Sequence, residues 1–591
     1  MPTVALERDL LYERLGQSYT EEEFDELCFE FGLELDEVTS ENALIAKEQG
    51  ADKAGTGSDK VIYKIEIPAN RYDLLCVEGL VRGLLVFKEK MACPVYKKIP
   101  PTEGSTMQEL TIRPSTAAIR PHCVAAVLRN ITFTEASYKN FIDLQDKLHQ
   151  NICRKRSLVA IGTHDLDTIE GPFVYDALPP EDIKFKPLNQ TKEYTAVELM
   201  ELYSTDSHLK HYLHIIKDSP VYPVIFDKNN VVLSMPPIIN GEHSKITLST
   251  KNVFIECTAT DLTKAKVVLD TIVTMFSEYC QDQFTVEPAK VIQTDGSEVV
   301  YPDLNYRHEV VEVADINKKL GIKIKADAMA SLLTRMCLKS KAIEKGARLI
   351  VEIPPTRADV IHACDIVEDV AIAYGYNNIK MTIPKTNCIS QQFPLNKLTD
   401  LLRPEIAAAG FTEALTFSLC SKDDISDRLR KDISTIRAAH IANPKTLDFQ
   451  VARTMLLPGI LRTVASNRKM PLPLKLFEIS DVVFKDDTTD TGTRNRRHFC
   501  AIHYNKFPGF EIIQGLLDRT MQLLEVPPGK GDTQYYIRAA DDPTFFPGRC
   551  AEVIALGRCV GVLGVLHPEV IAKFDLNMPC AAMEIDLEAF L

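Results

Sequence analysis

Four acids, Asp359, Asp365, Glu368 and Asp369, fall within eleven residues and carry the first chemistry this sequence suggests. Asp365, Glu368 and Asp369 stand three and four residues apart, so on a helix their carboxylates share one face, with Asp359 on the entering turn. Carboxylates this close repel one another, and an oxygen-seeking divalent cation, Mg²⁺ or Ca²⁺, is the simplest neutraliser. The same acids also read as a first helical turn complementing its own dipole, with Arg357 paired to one of them.

A second set of polar groups gathers on loops. Pro236-Pro-Ile-Ile-Asn-Gly-Glu-His-Ser244 is shaped by Pro and Gly and presents Asn240, Glu242 and His243. Ile161-Gly-Thr-His-Asp165 places His164 at a strand end, just after the cations Arg154-Lys-Arg156. Binding and catalytic groups concentrate on loops. Polar groups on such loops equally satisfy their own backbone, and a basic run equally makes a solvated turn.

The acids need a helix to align them, and the sequence supplies one. Ile366, Val367, Val370, Ala371 and Tyr374 recur at three- and four-residue intervals and Gly375 follows, after a strand and a Pro-stiffened turn from Val351. An internal repeat frames it. Glu66-Ile-Pro-Ala-Asn-Arg-Tyr-Asp73 matches Glu352-Ile-Pro-Pro-Thr-Arg-Ala-Asp359, and Leu15-Gly16 with Phe24, Leu27, Phe31 and Leu33 matches Leu320-Gly321 with Met329, Leu332, Met336 and Leu338. The first copy is enlarged by a polar insertion around Ser40 to Lys60, and its Arg71 reads as a salt-bridge anchor. In the same register Asp365, Glu368 and Asp369 fall opposite Gly79, Arg82 and Gly83. An acidic cluster kept in one copy favours a special role there.

At 591 residues the chain exceeds one core. Four regions are expected: a first module over 1–90, an α/β layer domain over 112–285, a second module over 300–380, and a largely antiparallel sheet domain over 390–591. In the second region Val124 to Leu128 and Ser157 to Gly162 read as strands and Thr263 to Tyr279 as a long helix; in the last, Ala414 to Leu419 reads as a strand. Apolar content of 45% and charged content of 25% describe an ordinary globular protein, with no apolar run fit to span a membrane and no signal-peptide layout. Fifteen scattered cysteines without a Cys-x-x-Cys point to a reducing cytosol. A net charge of -14 requires any nucleic-acid contact to use a local basic patch, for which Arg494-Asn-Arg-Arg-His498 is a candidate, or a partner chain. No phosphate loop G-x-x-x-x-G-K-[ST] and no G-x-S-x-G elbow occurs, which argues against an independent nucleotidase or serine hydrolase.

The repeated Ile-Pro-x-x-Arg-x-Asp module, its second copy running into Ile366-Val-Glu-Asp and Tyr374-Gly-Tyr-Asn-Asn378, resembles the paired modules of phenylalanyl-tRNA synthetase beta subunits. Gly410-Phe-Thr-Glu-Ala-Leu-Thr-Phe417, Asn443-Pro444, Arg453-Thr-Met-Leu-Leu-Pro-Gly459, Leu476-Phe-Glu-Ile479, Phe546-Pro-Gly-Arg549 and Gly561-Val-Leu-Gly-Val-Leu-His-Pro568 resemble that family's catalytic-like domain. The resemblance covers nearly the whole chain and is to the cytosolic eukaryotic type.

It implies an α₂β₂ heterotetramer in the cytoplasm, in which the alpha subunit binds ATP and phenylalanine and joins phenylalanine to tRNA(Phe). The last domain is then a class II synthetase-like sheet without its own active site, with Lys475-Leu-Phe-Glu478 where an ATP motif would stand. Asp359, Asp365, Glu368 and Asp369 match the family's Mg²⁺-associated acids. Region 112–285 is similar to its editing domain, which hydrolyses Tyr-tRNA(Phe). On that reading Glu242 accepts the tyrosine hydroxyl proton, while Asn240, His243 and His164 orient the ester and a water. The alternatives are a tRNA-binding scaffold with an inactive editing domain, and a free-standing hydrolase of mischarged tRNA, against which the large last domain argues.

Overall fold

The computed structural model describes residues 2–43, 59–101, 106–386 and 390–591, in two compact units, Met1–Ile383 and Pro384–Leu591. Most of the expected insertion, residues 44–58, lies outside the described residues. No helix among them is long and apolar enough to cross a membrane.

In the first unit the repeated motifs give repeated folds. The first module is a three-stranded antiparallel sheet with Val61–Glu66 in the centre, flanked by Thr3–Glu7 and Glu34–Ser40. The second has Arg348–Ile353 in the centre, flanked by Arg307–Glu312 and Lys339–Ile343. Three helices correspond between them among the described residues: Arg8–Leu15, Glu21–Phe31 and Val77–Phe87 in one; Val313–Leu320, Ala326–Arg335 and Ala363–Tyr374 in the other. The matched Gly16 and Gly321 end the first helix of each at φ 66° and 70°, a left-handed conformation that glycine adopts without a Cβ penalty.

The modules pack in a swapped manner. The second helix of each, Glu21–Phe31 or Ala326–Arg335, meets the third helix of the other, Ala363–Tyr374 or Val77–Phe87. That is the symmetry of an isologous pair within one chain. Arg335 fastens it, donating to Phe87 O at 2.9 Å and Ala373 O at 3.1 Å.

Between the modules in sequence lies an eleven-stranded mixed sheet. Val253–Ala259 runs between His122–Leu128 and Val159–Asp165, all three antiparallel. The hairpin of Tyr222–Phe226 and Val232–Met235 extends the opposite edge through Phe173–Leu178. Helix Leu262–Phe276, capped by Asp261, buries its apolar face on His122–Leu128 and Val253–Ala259. It carries Asp270, which burial and the facing Asp303 push up to about 7, against the pull of the Leu304 N–H, Lys98 and Lys266. The folded state therefore holds a proton that the unfolded chain releases between the usual 3.8 and about 7, and stability falls as pH rises through that window. Asp270→Asn is accordingly expected to be more stable than the parent, by at most about 4 kcal/mol above pH 7 and little in acid. Hydrogen exchange of peptides from helix Leu262–Phe276 in both proteins across that pH range checks it.

The second unit is a seven-stranded sheet ordered Thr412–Glu413, Leu474–Lys485, Thr493–Tyr504, Cys580–Asp586, Arg558–Leu566, Phe545–Ala555 and Tyr535–Ala539, antiparallel except at the first pairing. Alternation along Thr493–Tyr504 sends Phe499 and Ala501 to a core with helices Pro394–Ala408 and Phe510–Leu523, and Cys500 and Ile502 to a core with Leu457–Ser466. The continuous strand expected from Ala414 to Leu419 is not there: short strands at Thr412–Glu413 and Leu419–Cys420 bracket an irregular stretch with Leu415 and Phe417 exposed.

Candidate functional site

In the mixed sheet Gly162 stands directly opposite Glu256, and His164 opposite Phe254. Every residue of Val253–Ala259 is buried, so Glu256, 1% exposed, is a carboxylate in an otherwise buried run. Its side chain lies across Gly162, where a Cβ would fall 2.1 Å from Glu256 Oε1. Glycine is what leaves that room. Ser234 donates to Glu256 Oε1 at 3.0 Å. His164, fully buried, shares a 2.9 Å hydrogen bond between Nδ1 and Ser244 Oγ, and its Nε2 is 3.9 Å from Glu256 Oε1. His164 Nε2 and Glu256 Oε2 have no hydrogen-bond partner among the described residues.

Such orphaned buried atoms cost about 1–3 kcal/mol each unless water or a ligand completes them. A cavity of about 30 Å³, lined by His149, Ile161, Pro236, Asn240 and Glu256 among others, has room for about one water. Asn240 reaches it from the short strand Ile239–Asn240, paired with Ser234. His243 is exposed, its imidazole held below the usual value by burial of the ring and by His164 nearby. Glu256 and Asn240 line that cavity, where an acceptor and an amide can orient one water; His164, His243 and Ser244 lie outside its lining.

Glu242 belongs elsewhere. Its Oε2 accepts from the Asn189 N–H at 2.5 Å and its own N–H donates to Lys186 O at 3.0 Å, so it stitches two loops together. Of the residues expected from the sequence, His164 and Asn240 lie beside Glu256 and Glu242 does not, while Glu256, Ser234 and Ser244 were not among those expected. The available signal was one carboxylate inside the apolar run Val253 to Ala259.

The four acids of the second module do not converge. Arg357, 2% exposed, grips Asp359 in a two-pronged bond, Nε to Oδ1 at 2.9 Å and Nη2 to Oδ2 at 2.7 Å. The same Nη2 donates to Asp369 Oδ2 at 2.6 Å, and Nη1 to Met336 O at 2.6 Å. Asp365 Oδ2 instead accepts from the Ile361 and His362 N–H groups, capping the helix, and Glu368 is exposed. Burial raises Asp369, whereas in Asp359 the Arg357 charge overcomes burial and holds the carboxyl below its usual value.

Among the described residues no group of three or more His, Cys, Asp or Glu side chains is placed to hold a metal ion. The expected Mg²⁺ does not fit these acids as they stand, because two are neutralised by a buried guanidinium and an oxygen of a third is taken up by the Ile361 and His362 N–H groups ahead of the helix. Their absence from the first copy also has a packing cause. Helix Val77–Phe87 is buried along nearly its whole length, a Cβ at Gly79 would lie 1.7 Å from Asp73 O, and Arg82 pairs with Glu278 at 2.6 Å. An acid is excluded there whatever its use in the second copy. The first copy keeps the anchor: Arg71 holds Asp73 at 2.9 and 2.8 Å.

In the basic runs Arg494 pairs with Asp486, Arg496 with Asp586, Arg497 with Asp481 and His498 with Glu584, with Arg494 and Arg496 still partly exposed. Arg156 donates to Pro237 O and Ile238 O, while Arg154 and Lys155 are exposed. In the last domain Glu478 is buried and accepts from Arg453 at 2.8 Å and from Thr416 Oγ1 at 2.7 Å.

Four family models match the chain in succession: the Phe-tRNA synthetase beta subunit B1 domain over residues 1–90, the B3/4 domain over 111–289, the tRNA synthetase B5 domain over 310–376, and the phenylalanyl tRNA synthetase beta chain CLM domain over 379–587. The class they define is an aminoacyl-tRNA synthetase subunit. Phenylalanine–tRNA ligase beta subunits of Homo sapiens and Drosophila melanogaster are 66% and 62% identical over the full length of both chains, and that of Arabidopsis thaliana, named as cytoplasmic, is 50% identical over the same extent. An N-terminal fragment of the phenylalanyl-tRNA synthetase beta subunit from Pyrococcus horikoshii superposes with a TM-score of 0.55 at 32% identity, covering 64% of this chain and all of that one. The chain belongs to the phenylalanine–tRNA ligase beta-subunit family.

Proposed function

We propose that this chain is the assembly and proofreading half of a cytoplasmic phenylalanine–tRNA ligase, paired with an alpha subunit as an α₂β₂ heterotetramer. The alpha subunit binds ATP and phenylalanine and charges tRNA(Phe). Mg²⁺ enters with the ATP phosphates, in the manner usual for nucleotides, and no step depends on Asp359, Asp365, Glu368 or Asp369. Residues 390–591 serve as a class II synthetase-like partner surface; the buried Arg453–Glu478 pair supports this, since it commits the glutamate to structure. Residues 112–285 carry the editing reaction, and the modules at 1–90 and 300–380 frame it.

The observation that carries editing is the buried Glu256–His164 pair under Gly162, with one open hydrogen-bonding atom on each side chain. A charging pocket built for a phenyl ring rejects an added hydroxyl only by about a hundredfold. A second site whose buried acceptor is satisfied only by that hydroxyl selects tyrosine, because the acceptor stays unpaired with phenylalanine. We infer that Glu256, rather than Glu242, is that acceptor, with His164, Asn240 and His243 positioning the ester and a water; the unpaired Glu256 Oε2 supports this.

The test is the native assembly offered Tyr-tRNA(Phe) and Phe-tRNA(Phe). Release of tyrosine much faster than phenylalanine is expected. Equal stability of both esters would select the scaffold reading, and a lone monomer without an ATP-using partner would overturn the subunit reading.

A further inference from the structure

Three buried polar atoms stand unpaired around one small space. His149 Nδ1, Arg156 Nε and Glu256 Oε2 each lack a hydrogen-bond partner among the described residues, and all three residues line the cavity of about 30 Å³. Buried polar groups are nearly always paired, so three orphans around one space mark a seat for a group that supplies both a donor and acceptors. At that size the seat admits one oxygen and its proton, and no ring.

The surrounding backbone fixes the sense of each atom. His149 lies in the last turn of helix Glu135–Gln150 and is buried, and the Ile161 N–H donates to its Nε2 at 3.0 Å. A backbone N–H only donates, so Nε2 is the bare nitrogen and the proton of the neutral ring sits on Nδ1. Burial, with the charges of Arg156 and Arg120, holds this imidazole well below its usual value and therefore neutral. Arg156 is always a donor. Its Nη1 is taken up by Pro237 O and Ile238 O at 3.3 and 3.1 Å, and its guanidinium lies 4.3 Å from the centroid of the Tyr212 ring, while Nε makes none of these bonds. The turn that carries it is strained: Arg154, Lys155 and Arg156 stand at φ 44°, 52° and 64°, three left-handed non-glycine residues in succession. Such strain gathers at ligand sites, where the structure around it holds it in place. The Lys155 N–H, bonded to His149 O at 2.7 Å, ties the turn to the helix end.

We propose that His149 and Arg156 are specificity-determining residues of the editing reaction, forming with Glu256 the seat of one substrate hydroxyl, the phenol of tyrosine. The inference rests on the editing reading and supplies its donors. A hydroxyl has one proton and two lone pairs. The proton goes to Glu256 Oε2, and the lone pairs take the His149 Nδ1–H and the Arg156 Nε–H. Phenylalanine satisfies none of the three. The half-exposed Arg156, Ile239 and Asn240 form the side of the cavity from which the ring arrives. A 4-amino group separates the donors from the acceptor: its N–H bonds serve Glu256, but its lone pair is delocalised into the ring and accepts poorly from His149 and Arg156.

The native assembly is offered tRNA(Phe) esters of tyrosine, 4-aminophenylalanine and phenylalanine, and the release of each is timed in single turnovers. The parent is expected to release tyrosine about tenfold or more faster than the 4-amino ester, the usual effect of leaving buried donors unpaired, and both faster than phenylalanine. In His149→Phe the tyrosine rate should fall severalfold further than the 4-amino rate, shrinking the preference; a structural fault would slow both alike. His149→Gln, whose amide both accepts from the Ile161 N–H and donates into the cavity, should restore part of it. Equal release of the tyrosine and 4-amino esters by the parent would overturn the proposal, and that comparison stands even where His149→Phe fails to fold. An unchanged preference in folded His149→Phe would overturn it as well. Release of neither ester by the parent would instead sink the editing reading, and this proposal with it.

Discussion

Arg357→Met is expected to destabilise the second module by about 3–5 kcal/mol, the usual cost of leaving buried charges without their partner. Arg357 serves Asp359, Asp369 and the Met336 carbonyl at once, so three buried acceptors lose their donor. The sign with pH follows from the carboxyls. Asp359 is held low, so the stability it adds is present above its unfolded value and lost as pH falls through its folded one. Asp369 is raised by burial against the pull of Arg357. Without Arg357 both carboxyls bind protons more readily, and the variant's deficit should be largest at neutral pH and shrink in acid. Because a chain of several domains does not unfold in one step, hydrogen exchange of peptides from Arg348–Ile353 and Ala363–Tyr374 is the proper readout. The same experiment weighs the metal: if added Mg²⁺ protected these peptides in the parent and Glu368→Gln removed the protection, the acids would be ligands after all.

Glu256→Gln should abolish tyrosine release by about 100-fold or more while leaving phenylalanine charging intact. The variant is chosen because it keeps shape and removes charge. A buried carboxylate with one oxygen unpaired burdens the folded state, so the amide is expected to fold at least as well as the parent. Loss of activity with retained stability would then report on the site and not on the scaffold. Gly162→Ala offers an independent check, since its Cβ would collide with Glu256 Oε1 and displace the carboxylate without altering any polar group. Unchanged discrimination between Tyr-tRNA(Phe) and Phe-tRNA(Phe) in both variants would dismiss Glu256. A matching loss in Glu242→Ala alone would return the role to Glu242.

What the sequence revealed, and what it hid, divides by the range of the interaction. The repeat and the helix Ala363–Tyr374 were legible because identity at Ile-Pro-x-x-Arg-x-Asp and spacing at Ile366, Val370 and Tyr374 are local. The acids at 365, 368 and 369 were correctly placed along one helix, yet their chemistry turned on Arg357 reaching Asp369 twelve residues away. Glu256 showed only as one carboxylate in an apolar run, because its partners are distant in sequence: Gly162 meets it through strand pairing and Ser234 through a side-chain hydrogen bond. The stretch Ala414 to Leu419 misled as a continuous strand because apolar residues such as Leu415 and Phe417 need not be buried, and here they are exposed in an irregular segment.

The swapped packing of the two modules has a consequence for how they could come to differ. Two separate copies meeting across a dyad must stay identical, and their contact obeys mass action. Tethered in one chain, the halves meet at a local concentration fixed by the connecting sequence, whatever the amount of protein in the cell. Each half is then released from self-complementarity. One could sink its third helix against the neighbouring helix Leu262–Phe276, with glycine at position 79, while the other turned an acid at position 365 to its own helix end.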